Sequence, residues 1–348
     1  MSVRYVPVGW NANKIAYDAA LAVAVALYIA TFIYLAQPGE AGLQYDEATV
    51  RMRAFGSCAF LMLSAILSIG PLARLDARFL PVLYNRRHFG VAACAVALIH
   101  ASYVTGWYFN YSPTDPYVAL LSSNTSFGRI AGFPFEIFGI AALLVLALLA
   151  ATSHDFWLYF LTPPVWKALH MAIYGAYMCV VAHVALGALM APRLQAMSFV
   201  LPLCALGVAG LHAAAARKQA RMDQPAGYDA DWVIVGSPDR IGEGRAVVVP
   251  LADGESVAVF RHQGKLSAIA NACAHQNGPL GEGRMVDGCV TCPWHGYQYR
   301  LHDGCSPPPY TERVATYQLR LQDGAILLNP RANPLGMIVA PLALEKPS

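Results

Sequence analysis

The sequence predicts a multidomain chain, an all-α bundle of six transmembrane helices followed by an all-β domain. Three observations predict it. Hydrophobic residues make up 57% of the chain and charged residues 13%, against roughly 45–50% and roughly 25% in soluble domains. The charges thin out through the first 216 residues and return from Arg217 onward. After residue 230 the long apolar runs give way to short β-branched and aromatic runs punctuated by Gly, Pro, Asp and Asn, the pattern of short antiparallel strands. A net charge of +3 gives no basis for a nucleic-acid partner.

Six apolar stretches have spanning length, at about 16–36, 54–72, 89–108, 133–151, 167–190 and 196–216. The first is longer than a signal h-region of about 7–15 residues and is expected to be retained. Arg74, Arg78, Arg86 and Arg87 lie between the second and third stretches, and Arg217, Lys218 and Arg221 follow the sixth. Cationic loops stay in the cytoplasm. The loop 37–51, with Glu40, Asp46 and Glu47, and the polar loop 110–129 suit the outside. Six crossings then put both termini and the β domain in the cytoplasm of a cell whose inner (plasma) membrane holds the bundle. The expected domains are 1–216 for the bundle, 217–230 for a charged linker, 231–330 for the β domain and 331–348 for a tail. The tail is too short to span, and the sequence leaves open whether it closes the β domain or touches the membrane. No internal repeat stands out.

Eight cysteines fall into two groups. Cys58, Cys94, Cys179 and Cys204 lie singly in apolar runs and read as small buried side chains. Cys273, Cys289, Cys292 and Cys305 cluster in the β domain. Two segments there carry chemistry, Cys273-Ala274-His275-Gln276-Asn277-Gly278-Pro279 and Cys292-Pro293-Trp294-His295-Gly296-Tyr297-Gln298-Tyr299. Each supplies one thiol and one imidazole before tight-turn residues. A two-iron cluster with unequal irons needs two thiolates on one iron and two imidazoles on the other. A Cys₂His₂ zinc site takes the same donors, but the paired C-x₂₋₄-C and H-x₃₋₅-H spacings of a finger are absent. The mixed C-x-H and C-x-x-H order, and the stretch from Trp232 to about Asn329, resemble a Rieske ferredoxin-type domain. That resemblance implies a [2Fe–2S] cluster on Cys273, His275, Cys292 and His295. The inter-loop disulfide of quinol–cytochrome Rieske proteins falls on Gly278 and Trp294 and cannot form. This is the pattern of the ferredoxin and ring-hydroxylating-oxygenase type, and it agrees with a reducing compartment. Cys289 and Cys305 read as packing or turn residues.

Ionisable side chains inside a bilayer are costly and usually functional. The third stretch carries His88 at its cytoplasmic start and His100 near its middle, and the fifth carries His170 and His183. Imidazoles on facing helices are a standard way to hold b-type haem. Separations of 12 and 13 residues do not return to one face of a straight helix at about 100° per residue, so two haems on one seam require bending or a local change of helix. The bland reading of His88 is a cationic or headgroup contact; for the others it is a satisfied buried polar group. The segments RRHFGVAACAVALIHASY, ATSHDFWLYF and WKALHMAIYGAYMCVVAH resemble the ferric-reductase-like transmembrane superfamily over residues 50–215. They are similar in particular to the haem-binding membrane subunit of the methionine sulfoxide reductase system. The resemblance implies His100, His170 and His183 as haem ligands; His88, at a position where the sulfoxide-reductase members usually lack a His, is a further candidate ligand from its place on the third stretch, hence one or two b haems. His154 and His212 read as structural, His262 and His302 as surface residues.

No FAD and nicotinamide module is recognisable. Gly242-Glu243-Gly244 lacks the G-x-G-x-x-G pattern and its setting. The leading expectation is a membrane-bound electron-transfer protein, an oxidoreductase component linking a cytosolic redox partner, the Rieske cluster, transmembrane haem and an outer-face acceptor. A second reading reverses the flow, from quinol through haem and cluster to a cytosolic oxygenase. A third is a redox sensor without throughput.

Overall fold

In the computed structural model of the chain, residues 12–36, 46–79, 82, 86–130, 132–153, 157, 161, 163–187, 195–222, 228–229, 231–252, 254–275, 278–293, 296–308 and 310–344 are described. They divide into two compact units, residues 12–72 with 86–213, and residues 73–82 with 214–344.

The first unit is helical. Its elements are α1 (Ala12–Leu35), α2 (Glu47–Leu75), α3 (Arg86–Tyr111), the short α4 (Pro116–Ser122), α5 (Glu136–Ala151), α6 (Pro163–His170), α7 (Ala172–Leu186) and α8 (Gln195–Met222). Five helical segments are long and apolar enough to cross a membrane: Lys14–Leu35, Glu47–Leu75, Arg86–Tyr111, Ala168–Leu186 and Ala196–Lys218. The expected fourth crossing at 133–151 is shorter than the sequence implied. Helix α5 has 16 residues, about 24 Å at 1.5 Å each, against a hydrocarbon core of roughly 30 Å. The apolar run does extend back to Phe133, but Pro134 disfavours helix at the residue before it, and α5 begins only at Glu136. The expected fifth crossing is interrupted at Met171, where three-residue hydrogen bonds replace α-helical ones (Met171 N–H to Ala168 O, Tyr174 N–H to Met171 O, both 3.2 Å).

Two apolar clusters hold these helices. Cys58, Met62, Ala93 and Val96 of α2 and α3 pack with Val25 and Ile29 of α1, and Phe60, Leu63 and Leu67 of α2 pack with Tyr177 of α7 and Leu201 and Val208 of α8. Small and hydroxylated residues at such seams replace the hydrophobic effect that lipid removes. Accordingly Tyr28 donates to Ser57 Oγ (2.9 Å), and Ser64 Oγ and Tyr177 OH share a hydrogen bond (3.0 Å). Leu27, Phe199 and Leu203 are each more than 60% exposed, which water would penalise and lipid does not.

The second unit is mainly strand: β1 (Tyr228–Asp229), β2 (Trp232–Gly236), β3 (Ala246–Pro250), β4 (Ser256–His262), β5 (Lys265–Ala270), β6 (Arg284–Val286), β7 (Cys289–Thr291), β8 (Gln298–Arg300), β9 (Thr316–Tyr317), β10 (Leu319–Gln322), β11 (Ala325–Leu328) and β12 (Leu342–Ala343). They form antiparallel sheets in the orders β1-β2-β11-β10, β12-β5-β4-β3 with β9 also on β5, and β6-β7-β8. Gln263-Gly264, Asp287-Gly288 and Asp323-Gly324 close three hairpins with positive φ at both residues, the geometry that matches strand twist and favours Asp-Gly. The tail question is answered by β12, which adds to the β5 edge with Leu342 opposite Leu266.

Strand β4 decides where the chemistry sits. Side chains alternate across a strand, and here both faces are buried. Val257 and Val259 enter one core with Val233, Leu266, Ile326 and Leu328. Ala258 and Phe260 enter a second core with Ile269, Leu280, Val290, Tyr299 and the two motif cysteines.

Candidate metal centres

The cluster motif lies on two loops built alike. The first leaves β5, is pinched by an Ala272–Pro279 bridge, and is closed by the Cys273 N–H donating to Gly278 O at 2.9 Å. The second joins β7 to β8 and is closed by the Cys292 N–H donating to Tyr297 O at 2.7 Å. In each, a cysteine amide bonds to the carbonyl five residues on. Gly296 turns the second loop at φ +75°, a region open mainly to glycine. Cys273 and Cys292 are 1% and 2% exposed. His275, half-buried, stacks on Tyr297 with ring centroids 4.1 Å apart. The Tyr299 hydroxyl lies 3.3 Å from Cys273 Sγ. Burial, then the charge of Cys273 and Cys292, pushes the Tyr299 phenol well above its usual range, so it stays a donor toward a thiolate. His295 and Trp294 lie outside the described residues, as does His154.

Two buried thiols, an imidazole at the rim and a tyrosine donor are a donor set that fits a [2Fe–2S] cluster. Cys289 and Cys305 play no part in it. Burial pushes the Cys289 thiol up, and Cys305 Sγ faces the Asp303 carbonyl at 3.6 Å. His262 and His302 lie beside Glu243 and Asp303.

In the helical unit the structure brings His100 and His183 together. Their ring centroids are 6.3 Å apart and their planes 79° apart. A metal–imidazole bond of about 2.0 Å, added to about 1.1 Å from nitrogen to ring centre and doubled, gives about 6.2 Å for two rings sharing one metal. His100 Nδ1 lies 2.9 Å from Met52 O, and His183 Nδ1 lies 3.0 Å from Phe135 O. A carbonyl only accepts, so both Nδ1 atoms carry the proton and both Nε2 atoms keep the lone pair. The residues fit one bis-imidazole haem.

His88 and His170 have separate partners. Twelve residues along the unbroken α3 turn the face by about 120°, and His88 Nδ1 meets Asp18 of α1 at 2.7 Å while His100 meets α2. His170 stacks on Trp166 (3.7 Å), which donates to Thr152 O (2.8 Å) and lies under the Arg87 guanidinium (5.3 Å). His170 Nδ1 faces Trp166 O at 3.0 Å, and its buried Nε2 has no hydrogen-bond partner among the described residues. His212 is satisfied at both nitrogens, by Val208 O and Tyr174 OH.

Residues 231–318 match the Rieske [2Fe-2S] domain family, and residues 52–181 match the ferric reductase like transmembrane component family. The anthranilate 1,2-dioxygenase ferredoxin subunit of Burkholderia cepacia is 34% identical over 101 residues, 29% of this chain and 93% of that protein. This chain is a ferric reductase-like transmembrane component joined to a Rieske [2Fe–2S] domain. Some other relatives are covered only in part. Cholesterol 7-desaturase of Xenopus laevis is 39% identical over 67 residues, 18% of this chain and 15% of that protein. Among solved structures, the ferredoxin of carbazole 1,9a-dioxygenase from Nocardioides aromaticivorans IC177 is 25% identical, covering 29% of this chain and 98% of that one with a TM-score of 0.27.

The matched spans hold the Rieske ligand positions and His88, His100 and His170, while His183 lies two residues past the transmembrane match. None of the eight cysteines of this Rieske and ferric reductase-like chain is paired in a disulfide. The histidine partners Met52 O and Phe135 O lay outside the sequence reading, because a backbone acceptor leaves no mark on residue type.

Proposed function

We propose that the chain passes electrons between a cytosolic redox partner and an acceptor at the outer face of the inner (plasma) membrane. Cys273, His275, Cys292 and His295 hold a Rieske cluster, and His100 and His183 hold one b haem. When bound, these groups supply one-electron carriers; the protein supplies position and tuning. The observation that carries the reading is the 6.3 Å gap between the His100 and His183 rings, each held by Nδ1 with Nε2 available.

The residues have distinct tasks. Cys273 and Cys292 present thiolates in an apolar core, and the Tyr299 hydroxyl donates to Cys273. His275 holds its ring against Tyr297 at the rim, where a partner protein gains access. His100 and His183 place neutral imidazoles in the lipid-embedded bundle, where charged groups are disfavoured. The cationic loops at Arg74–Arg87 and Arg217–Arg221 support a cytoplasmic Rieske domain. The polar segment 110–129, which contains α4, offers the outer platform.

The test is an iron, sulfide and pyridine haemochrome assay on the purified full chain, with EPR of the reduced cluster. His100→Ala or His183→Ala should remove the haem and leave the cluster signal. If both variants keep full haem, the membrane half of this reading fails. A colourless or zinc-containing protein sinks all of it.

A second reading has one specific support, since the relative covered to 93% is a dioxygenase ferredoxin subunit. In that reading quinol is the donor and a cytosolic oxygenase the acceptor. Midpoint potentials separate the two: a haem far below the cluster disfavours outward flow.

A further inference from the structure

The two haem-facing histidines are seated by the same device, used twice. Each Nδ1 meets a carbonyl 48 residues earlier in the chain, Met52 for His100 and Phe135 for His183. In each case the residue four after that carbonyl is a glycine against which the ring lies. A Cβ added at Gly56 would stand 2.9 Å from His100 Cε1 and Nδ1, and one at Gly139 would stand 2.8 Å from the same atoms of His183. In a helix the residue four along is the one stacked beside a carbonyl. A glycine there leaves the second lone pair of the oxygen open to an incoming donor.

The coincidence runs through the sequence. Met52 and Phe135, Gly56 and Gly139, and His100 and His183 are all separated by 83 positions. At that offset Phe55-Gly56-x-x-Ala59-x-Leu61-x-Leu63 aligns with Phe138-Gly139-x-x-Ala142-x-Leu144-x-Leu146. The buried Ala93 and Ala176, each seven residues before its histidine, also coincide.

We propose that the transmembrane component is an internal duplication of a two-helix unit, and that each copy supplies one imidazole that would hold the haem, itself held by a glycine–carbonyl seat: Gly56 with Met52 O, and Gly139 with Phe135 O. The glycines are positioning residues. They act through the histidines, fixing the Nδ1–H tautomer and the plane of each ring. This rests on the haem reading above and adds to it the residues that orient the ligands.

The experiment uses the full chain in detergent. Ferric EPR of the wild type reports the ring planes, because near-perpendicular imidazoles give a strongly anisotropic, large-gmax low-spin signal and parallel ones give a rhombic signal. At 79° the wild type should show the large-gmax form. Gly56→Ala and Gly139→Ala should each move that signal, or weaken haem retention about 10- to 100-fold, the usual cost of losing a group that orients a ligating imidazole. Gly90→Ala and Gly106→Ala on α3, where an added Cβ meets nothing within 4 Å, are the controls and should match the wild type. A rhombic wild-type signal overturns the seats. So do Gly56 and Gly139 variants that keep full haem with an unshifted signal. If all four variants misfold, the wild-type signal alone decides. A wild type that binds no haem overturns the haem reading instead, so the two failures are distinguishable.

Discussion

Tyr299→Phe isolates one hydrogen bond at the cluster. The Tyr299 ring is fully buried between the strand β8 backbone and the second core, and its hydroxyl reaches Cys273 Sγ at 3.3 Å. Phe keeps the ring and removes only the donor, so packing is preserved. A hydrogen bond to a charged group is worth about 1.5–3 kcal/mol in total, but only the part that differs between oxidised and reduced cluster enters the potential. The reduced cluster is one electron more negative and holds the donor more tightly. A differential of about 0.7–1.4 kcal/mol converts to about 30–60 mV at 59 mV per tenfold change for one electron. The midpoint should therefore fall by that amount. Redox titration of the full chain, followed by the EPR signal of the reduced cluster, measures it. A midpoint within about 10 mV of wild type, or a rise, refutes the assignment of Tyr299 as a donor to a ligating sulfur.

Three further outcomes follow from other parts of the structure. Burial pushes the Asp303 carboxyl up, but hydrogen bonds from Arg300 and the Cys305 N–H outweigh it and hold it below the usual carboxylate range. A depressed carboxyl stabilises the fold above its unfolded value of about 3.9 and loses that contribution as pH falls through the folded value. Asp303→Asn should thus cost about 1 kcal/mol near neutral pH, discounted for the partly exposed Arg300, and the gap to wild type in thermal loss of cluster absorbance should close below about pH 4. Gly304 has φ +66°, and a Cβ there would lie 2.0 Å from Val314 O, whereas Gly324 at φ +75° has open space. Left-handed backbone costs a side-chain residue about 1–2 kcal/mol; Gly324→Ala should show that alone and keep its cluster, while Gly304→Ala adds a clash with fixed backbone and should yield protein without cluster iron. Glu136→Gln should raise the haem midpoint by about 40 mV for a charge effect of about 1 kcal/mol, read by optical redox titration.

The Rieske domain was legible because iron dictates residue type, and C-x-H with C-x-x-H leaves few other chemistries. The strands were legible from apolar runs broken by Asp-Gly. Less could be read in the bundle, where apolar composition carries little positional information. The run 133–151 is apolar throughout, and only Pro134 hints that helix begins late. The break at Met171 leaves no such hint, since Trp166-Lys167-Ala168-Leu169-His170-Met171-Ala172 contains neither Gly nor Pro. The turn of His88 away from His100 followed from helix geometry alone, but its partner, Asp18, could not be assigned across 70 residues. The repeat escaped notice because two apolar helices resemble each other at many offsets. Only the paired carbonyl contacts single out 83.

The two seats are alike in geometry and are followed in sequence by residues of opposite charge. The residue after each seat carbonyl is Arg53 in the first copy and Glu136 in the second, again 83 positions apart. Glu136 is buried, accepts from Ser123 Oγ (3.1 Å) and Asn124 Nδ2 (2.5 Å), and is close enough to His183 to act on it electrostatically. Tyr108 OH, donating to Ser123 Oγ at 2.8 Å, extends this chain toward the polar segment between α3 and α5. Duplication by itself yields two equivalent ligands and no preferred side. A carboxyl group beside one imidazole, with no counterpart of its sign at the matching position of the other copy, removes that equivalence without moving either ring. In such a pair, geometry sets whether iron is held, and the flanking charges set how readily it is reduced. The two properties therefore separate by mutation: the glycine variants act on retention and spectrum, and the Glu136 variant acts on potential with the spectrum unchanged.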